Sequence, residues 1–132
     1  MTKKQNKGPF FYKKVYNIPI YGGYFIIIFS NDREKISQAV NCCEYALGNL
    51  YAYTFHNFSY KGKEAYCVVF NFWNIEGEVT MGTITHEITH AGNRLLHARG
   101  ITPDWENDEP EAYVKGWMSD CVQDFMGKCG LI

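Results

Sequence analysis

The chain has 132 residues, 46% of them hydrophobic, which is enough for one compact domain with its own core. A formal net charge of −1, with no basic stripe in the body of the sequence, argues against a DNA- or RNA-binding module. The longest apolar run, residues 24–29, gives way to Ser30, Asn31 and Asp32 and is far too short for a membrane span.

No stretch carries the small-residue cleavage site of a signal peptide, so a cytoplasmic location is expected. Five cysteines (Cys42, Cys43, Cys67, Cys121 and Cys129) are odd in number and form no C-x-x-C pair, which disfavours a disulfide framework or a structural thiolate–zinc site. Cys43 and Cys67 read as small core residues. Residues 1–8 hold three lysines and no apolar side chain beyond Met1, and read as a flexible arm ahead of a single domain over residues 9–132.

In chain order, residues 15–21 and 24–30 are rich in β-branched and aromatic side chains, and Gly22-Gly23 between them predicts a two-residue hairpin turn. Asn31-Asp32-Arg33-Glu34 has the spacing of a capping box. The apolar positions Ile36, Ala39, Val40, Cys43, Ala46, Leu47 and Leu50 continue it as a helix of about four turns ending near Gly48. Residues 51–59 and 64–73 predict a second hairpin around Lys61-Gly62-Lys63, and residues 75–82 a loop or short edge strand.

From residue 83 to 99, Ile84, Ile88, Ala91 and Leu95 recur at helical spacing, and Gly100 can close the helix. A polar loop over residues 101–109 leads to Pro110, which opens a last helix running to about Phe125 with Gly127 beyond.

The chemistry concentrates in T-H-E-I-T-H, residues 85–90. His86 and His90, four apart on a helix, emerge one turn above each other, with Cβ atoms about 5–6 Å apart, and can grip one zinc ion. Glu87 leaves an adjacent edge of the same turn, where it makes a poor third ligand but can act as the general base on a metal-bound water. The pattern fixes only three positions, and two histidines on the solvent face of an ordinary helix would also produce it.

Catalytic zinc takes three protein ligands and leaves one position open. His97 lies about 10 Å along the axis from His90, out of reach unless the helix breaks at Gly92. Better placed are the carboxylates at the start of the last helix. Glu111 is preferred over Glu109, whose direction is set by the loop before Pro110, although Asp108-x-x-Glu111 is also a capping box in its own right.

T-H-E-I-T-H followed by E-P-E-A-Y-V resembles the zincin-like metallopeptidases with a glutamate ligand, in particular the small bacterial and phage H-E-x-x-H proteins of the ImmA/IrrE type. The resemblance covers residues 83–118 and implies an α+β fold, a minimal zincin-like domain in which a small antiparallel or mixed sheet packs against the H-E-x-x-H helix and a following glutamate helix. It also implies zinc on His86, His90 and Glu111, with Glu87 as general base, in a bacterial or phage protein acting on a peptide or protein substrate. Two positions depart from the wider group. Leu96 stands where metzincins have a third histidine, and Lys115 stands where thermolysin-like enzymes have an aspartate one turn after the ligand glutamate, leaving Asp104, Asp108 and Asp120 as candidate supports for the histidines.

On this reading the expected activity is hydrolysis of a peptide bond. Tyr113 and His97 are candidate donors to the oxyanion, and residues 68–79 the expected sheet edge for an extended substrate. The ten tyrosines and nine phenylalanines read as core and sheet-face residues rather than as a ligand-stacking surface; Trp73, Trp105 and Trp117 could line a groove, but the same core reading applies to them. The alternative is a non-catalytic binding or phage accessory protein that keeps the zincin fold, while a nucleic-acid role for the lysine arm finds no support in the rest of the chain.

Overall fold

The structure, a computed structural model, describes residues 8–41, 52–72 and 79–132, the side chains of residues 56 and 57 excepted. Its strands are β1 (Phe11–Asn17), β2 (Tyr24–Ser30), β3 (Ala52–Tyr60) and β4 (Lys63–Asn71). Its helices are α1 (Arg33–Val40), α2 (Met81–Ala98) and α3 (Glu109–Lys128). The sheet runs β1-β2-β4-β3, antiparallel at both outer pairs and parallel between β2 and β4. This is a small α+β domain with a mixed sheet.

β2 and β4 are apolar on alternate residues in both directions because both faces of the sheet centre are covered. Phe25, Ile27, Phe29, Tyr66, Val68 and Phe70 point to one side, where they meet Ile84, Ile88, Ala91 and Leu95 of α2 and Val114, Met118, Val122 and Phe125 of α3. Ile26, Ile28, Cys67 and Val69 point to the other, where Ile36 and Val40 of α1 cover them. The stripe predicted for α2 is the buried one.

Local chemistry sets the element ends. Lys61 (φ 49°) and Gly62 (φ 78°) form the two-residue β3–β4 turn, with Tyr60 opposite Lys63, so the turn falls where the sequence predicts it. The first hairpin differs: β1 starts at Phe11, and its link to β2 is a six-residue loop, residues 18–23, with Asn17 opposite Tyr24. Pro19 has no N–H to offer the ladder, and the chain turns instead through Ile20, Gly22 and Gly23, all at positive φ.

α1 is capped by Asp32, whose side chain accepts from Lys35 N, while the Asn31 side chain accepts from Phe10 N at 2.8 Å. The helix does not run on as expected. Asn41 adopts the left-handed conformation and ends it after Val40; the rest of that expected helix, with Cys42, Cys43 and Gly48, lies outside the described residues. The expected arm over residues 1–8 also lies outside them except for Gly8.

α2 begins two residues earlier than predicted, because Thr80 caps it by accepting from Thr83 N at 3.1 Å. It ends in a Schellman motif: Gly100 (φ 73°) donates to His97 O and Ile101 donates to Leu96 O. α3 closes the same way three residues beyond the predicted stop, with Gly130 on Gly127 O and Leu131 on Met126 O, so Gly127 lies inside the helix. Arg99 fastens the end of α2 to the sheet by an ion pair with Glu64 and a hydrogen bond from Nε to Tyr21 O at 2.7 Å.

One expectation about an exposed feature is corrected. Residues 68–71 belong to β4, which is paired on both sides and offers no edge; among the described residues the outer strands are β1 and β3, and residues 73–78 lie outside the described residues. Trp117 packs on Tyr16 and Phe25, as the core reading of the aromatic residues expects, whereas Trp105 is 97% exposed; Trp73 is outside the described residues. Among the described residues no helix is long and apolar enough to cross a membrane.

Two glycine substitutions separate these roles. Gly100→Ala must hold a Cβ at positive φ and is expected to cost about 1 kcal/mol, a loss of roughly 3–5 °C in Tm. Gly116→Ala, in the open on helical backbone, is expected to raise stability by about 0.5–1 kcal/mol. Parallel thermal melts would check both signs.

Candidate metal centre

α2 lies across the sheet near β3, and this placement divides the H-E-x-x-H turn. One face meets the sheet and the next faces solvent, since successive helical residues are about 100° apart. Glu87 falls on the inner side, its side chain 7% exposed; His86 falls on the outer side at 66%.

The two histidines face each other as the sequence predicts. Their Nε2 atoms are 3.2 Å apart, and the rings meet nearly edge to face with centroids 4.8 Å apart. Bare lone pairs repel at that distance, so the arrangement requires a proton donated from one ring to the other or a cation shared by both. Zinc–nitrogen bonds of about 2.0–2.1 Å at a tetrahedral angle set two ligand nitrogens about 3.3 Å apart. The donor pair therefore fits two corners of a zinc site.

Glu87 approaches the same place from below, with Oε2 3.9 Å from His86 Nε2. Its other oxygen accepts from the Thr54 hydroxyl at 2.7 Å, and the same hydroxyl stands 3.1 Å from the Glu87 carbonyl oxygen. Thr54 is a buried residue of β3, so the outer strand fixes the carboxylate beneath the histidines. The sequence reading missed Thr54. Its signal was a hydroxyl between the aromatic Tyr53 and Phe55, two residues into β3, which becomes meaningful only once the sheet face is known.

The third ligand is not assembled in the same way. A cleft of about 650 Å³ lies between the second half of α2, the loop after it and the start of α3, and both His90 and Glu111 line it, together with Arg94, His97, Asp104 and Asp108. The Glu111 carboxylate is held by Lys115 Nζ, 2.6 Å from Oε2. Among the described residues no three His, Cys, Asp or Glu side chains stand close enough to hold one ion. The capping box offered as the other explanation of Glu111 gains nothing, because Asp108 makes no side-chain cap hydrogen bond.

The remaining candidates are placed as follows. Glu109 is exposed at the first residue of α3 and does not line the cleft. Tyr113 is exposed and does not line it either, whereas His97 does. Asp104 and Asp108 face the cleft, Asp104 also accepting from Glu106 N at 3.0 Å, and Asp120 is exposed elsewhere on α3. Burial pushes the thiols of Cys67 and Cys121 up to about 12, so both stay protonated and neither resembles a metal-binding thiolate.

No protein-family model matches the chain, and no curated protein or solved structure matches it at a significant level.

The Thr54–Glu87 contact can be tested without any substrate. Thr54→Val keeps the shape but removes the hydroxyl that donates to the buried Glu87 carboxylate, with an expected loss of about 1.5–3 kcal/mol in denaturant unfolding; Thr54→Ser should recover most of it.

Proposed function

We propose that the protein is a zinc-dependent metallopeptidase, with His86 and His90 as ligands, Glu111 as the third and Glu87 as general base. The observation that carries this reading is the pairing of two facing imidazole nitrogens, 3.2 Å apart, with a buried carboxylate oxygen 3.9 Å from one of them. An ordinary solvent-facing histidine pair needs no buried carboxylate beneath it, and burying that carboxylate carries a desolvation cost that the single Thr54 hydrogen bond offsets only in part.

Zinc bound there would supply Lewis acidity, lowering the pKa of a water and polarising the scissile carbonyl. Glu87 Oε2, free of the Thr54 bond that occupies Oε1, takes a proton from the attacking water and returns it to the leaving amine. Thr54 holds the carboxylate in that orientation throughout. An extended peptide would lie along β3, an outer strand among the described residues and the one beside the histidine turn, and find depth in the cleft lined by His90, His97 and Asp108.

One observation favours the alternative, a non-catalytic accessory protein with this fold: Glu111 is engaged by Lys115 rather than turned to the histidines. Elemental analysis and a peptide-library assay separate the two. On the peptidase reading, purified protein carries near-stoichiometric zinc. His86→Ala and Glu111→Ala lose it, and Glu87→Gln keeps it while turnover falls by at least about a hundredfold, the usual contribution of a general base. Bound zinc with no cleavage of any library would favour the accessory protein. A wild type that takes up no zinc after reconstitution would remove the metal site itself.

A further inference from the structure

The Glu111–Lys115 pair is unlike a surface ion pair. The same helix provides the comparison: Asp124 and Lys128 have the same i,i+4 spacing, and there the two side chains are 53% and 62% exposed. Lys115 is only 20% exposed although its partner Glu111 is 42% exposed. Its stem lies in a trough on α2 that exists because residue 92 is glycine. A Cβ at Gly92 would stand 2.8 Å from Lys115 Cγ and 3.1 Å from Cε, closer than the lysine could tolerate without moving. The lysine that binds the carboxylate is thus bedded on the histidine helix two residues past His90.

A carboxylate saturated by an ammonium is a weakened metal ligand, and a fixed positive charge beside a dication opposes binding. We infer that Lys115 is a positioning residue that holds Glu111 away from the histidine pair, and that a divalent metal must displace it to complete the site. The inference rests on the three-ligand reading above. Gly92 belongs to the same device, since it allows the stem to lie where Nζ meets Glu111.

Zinc titration in competition with a chelator, with the visible absorption of bound Co2+ as a second readout of coordination, tests this on the full chain. Lys115→Met, which keeps much of the stem, should tighten zinc binding by up to about fivefold, the upper end of what a partly exposed ion pair contributes. Lys115→Arg should restore the wild-type value. In a Glu111→Gln background Lys115→Met should change nothing. Gly92→Ala displaces the stem without removing the charge and should shift affinity in the same direction; it carries the test if Lys115→Met fails to fold by circular dichroism.

Equal or weaker zinc binding by Lys115→Met overturns the inference, weaker binding making Lys115 a support for the bound glutamate. In that case zinc lost with His86→Ala leaves the metal-site reading standing. No zinc at the histidines in the wild type, Lys115→Met or Gly92→Ala overturns both readings.

Discussion

The parallel pairing of β2 with β4 constrains everything else in this domain. Two central strands with apolar residues on both faces must be covered on both. Among the described residues the short α1 covers one face, while α2 and α3 share the other. Once α2 is committed to that face by Ile84, Ile88, Ala91 and Leu95, the helix has no rotational freedom left. Its remaining residues point where geometry sends them.

From that commitment follows the separation of roles within one helical turn. Glu87 is carried inward beside Ile88 and would be an uncompensated buried charge without a donor. Thr54, opposite Val68 in the register of β3 with β4, supplies one. His86 and His90 are carried outward and brought together by the pitch of the helix. A carboxylate with a fixed orientation thus lies under a pair of accessible imidazoles. Glu111 stands apart from them, on a different helix and in the grip of a lysine.

Much of this was legible in the sequence wherever local chemistry decides. The Lys61-Gly62 turn, the stripe and glycine stop of α2, and the Pro110 start of α3 depend on residues within a few positions of one another. Failures came where a distant partner or a single backbone state decided. The left-handed Asn41 interrupted a periodicity that ran on smoothly in letters, and Pro19 turned a two-glycine signal into a six-residue loop. Residues 68–79 lead into the histidine helix and so read as a substrate edge, but no local signal shows that β4 enters between two other strands. At the site the three motif residues were readable and their hydrogen-bonding partner was not, since Thr54 is thirty-three positions away and acquires its meaning only across the sheet. Lys115 was visible as a departure from a pattern; its packing on Gly92 was not.

The strand order also bears on how the chain reaches this state. Each hairpin closes over a short loop, so β1 with β2 and β3 with β4 can form from neighbouring residues. The sheet becomes continuous only when Tyr24 meets Ala65 and Ser30 meets Asn71, forty-one positions apart, in an arrangement that no turn can template. Closing that larger loop costs chain entropy before any of its contacts form. Two half-sheets docking along β2 and β4 should therefore limit the folding rate, and β2 and β4, both strongly apolar, are the surfaces that stay exposed until they meet.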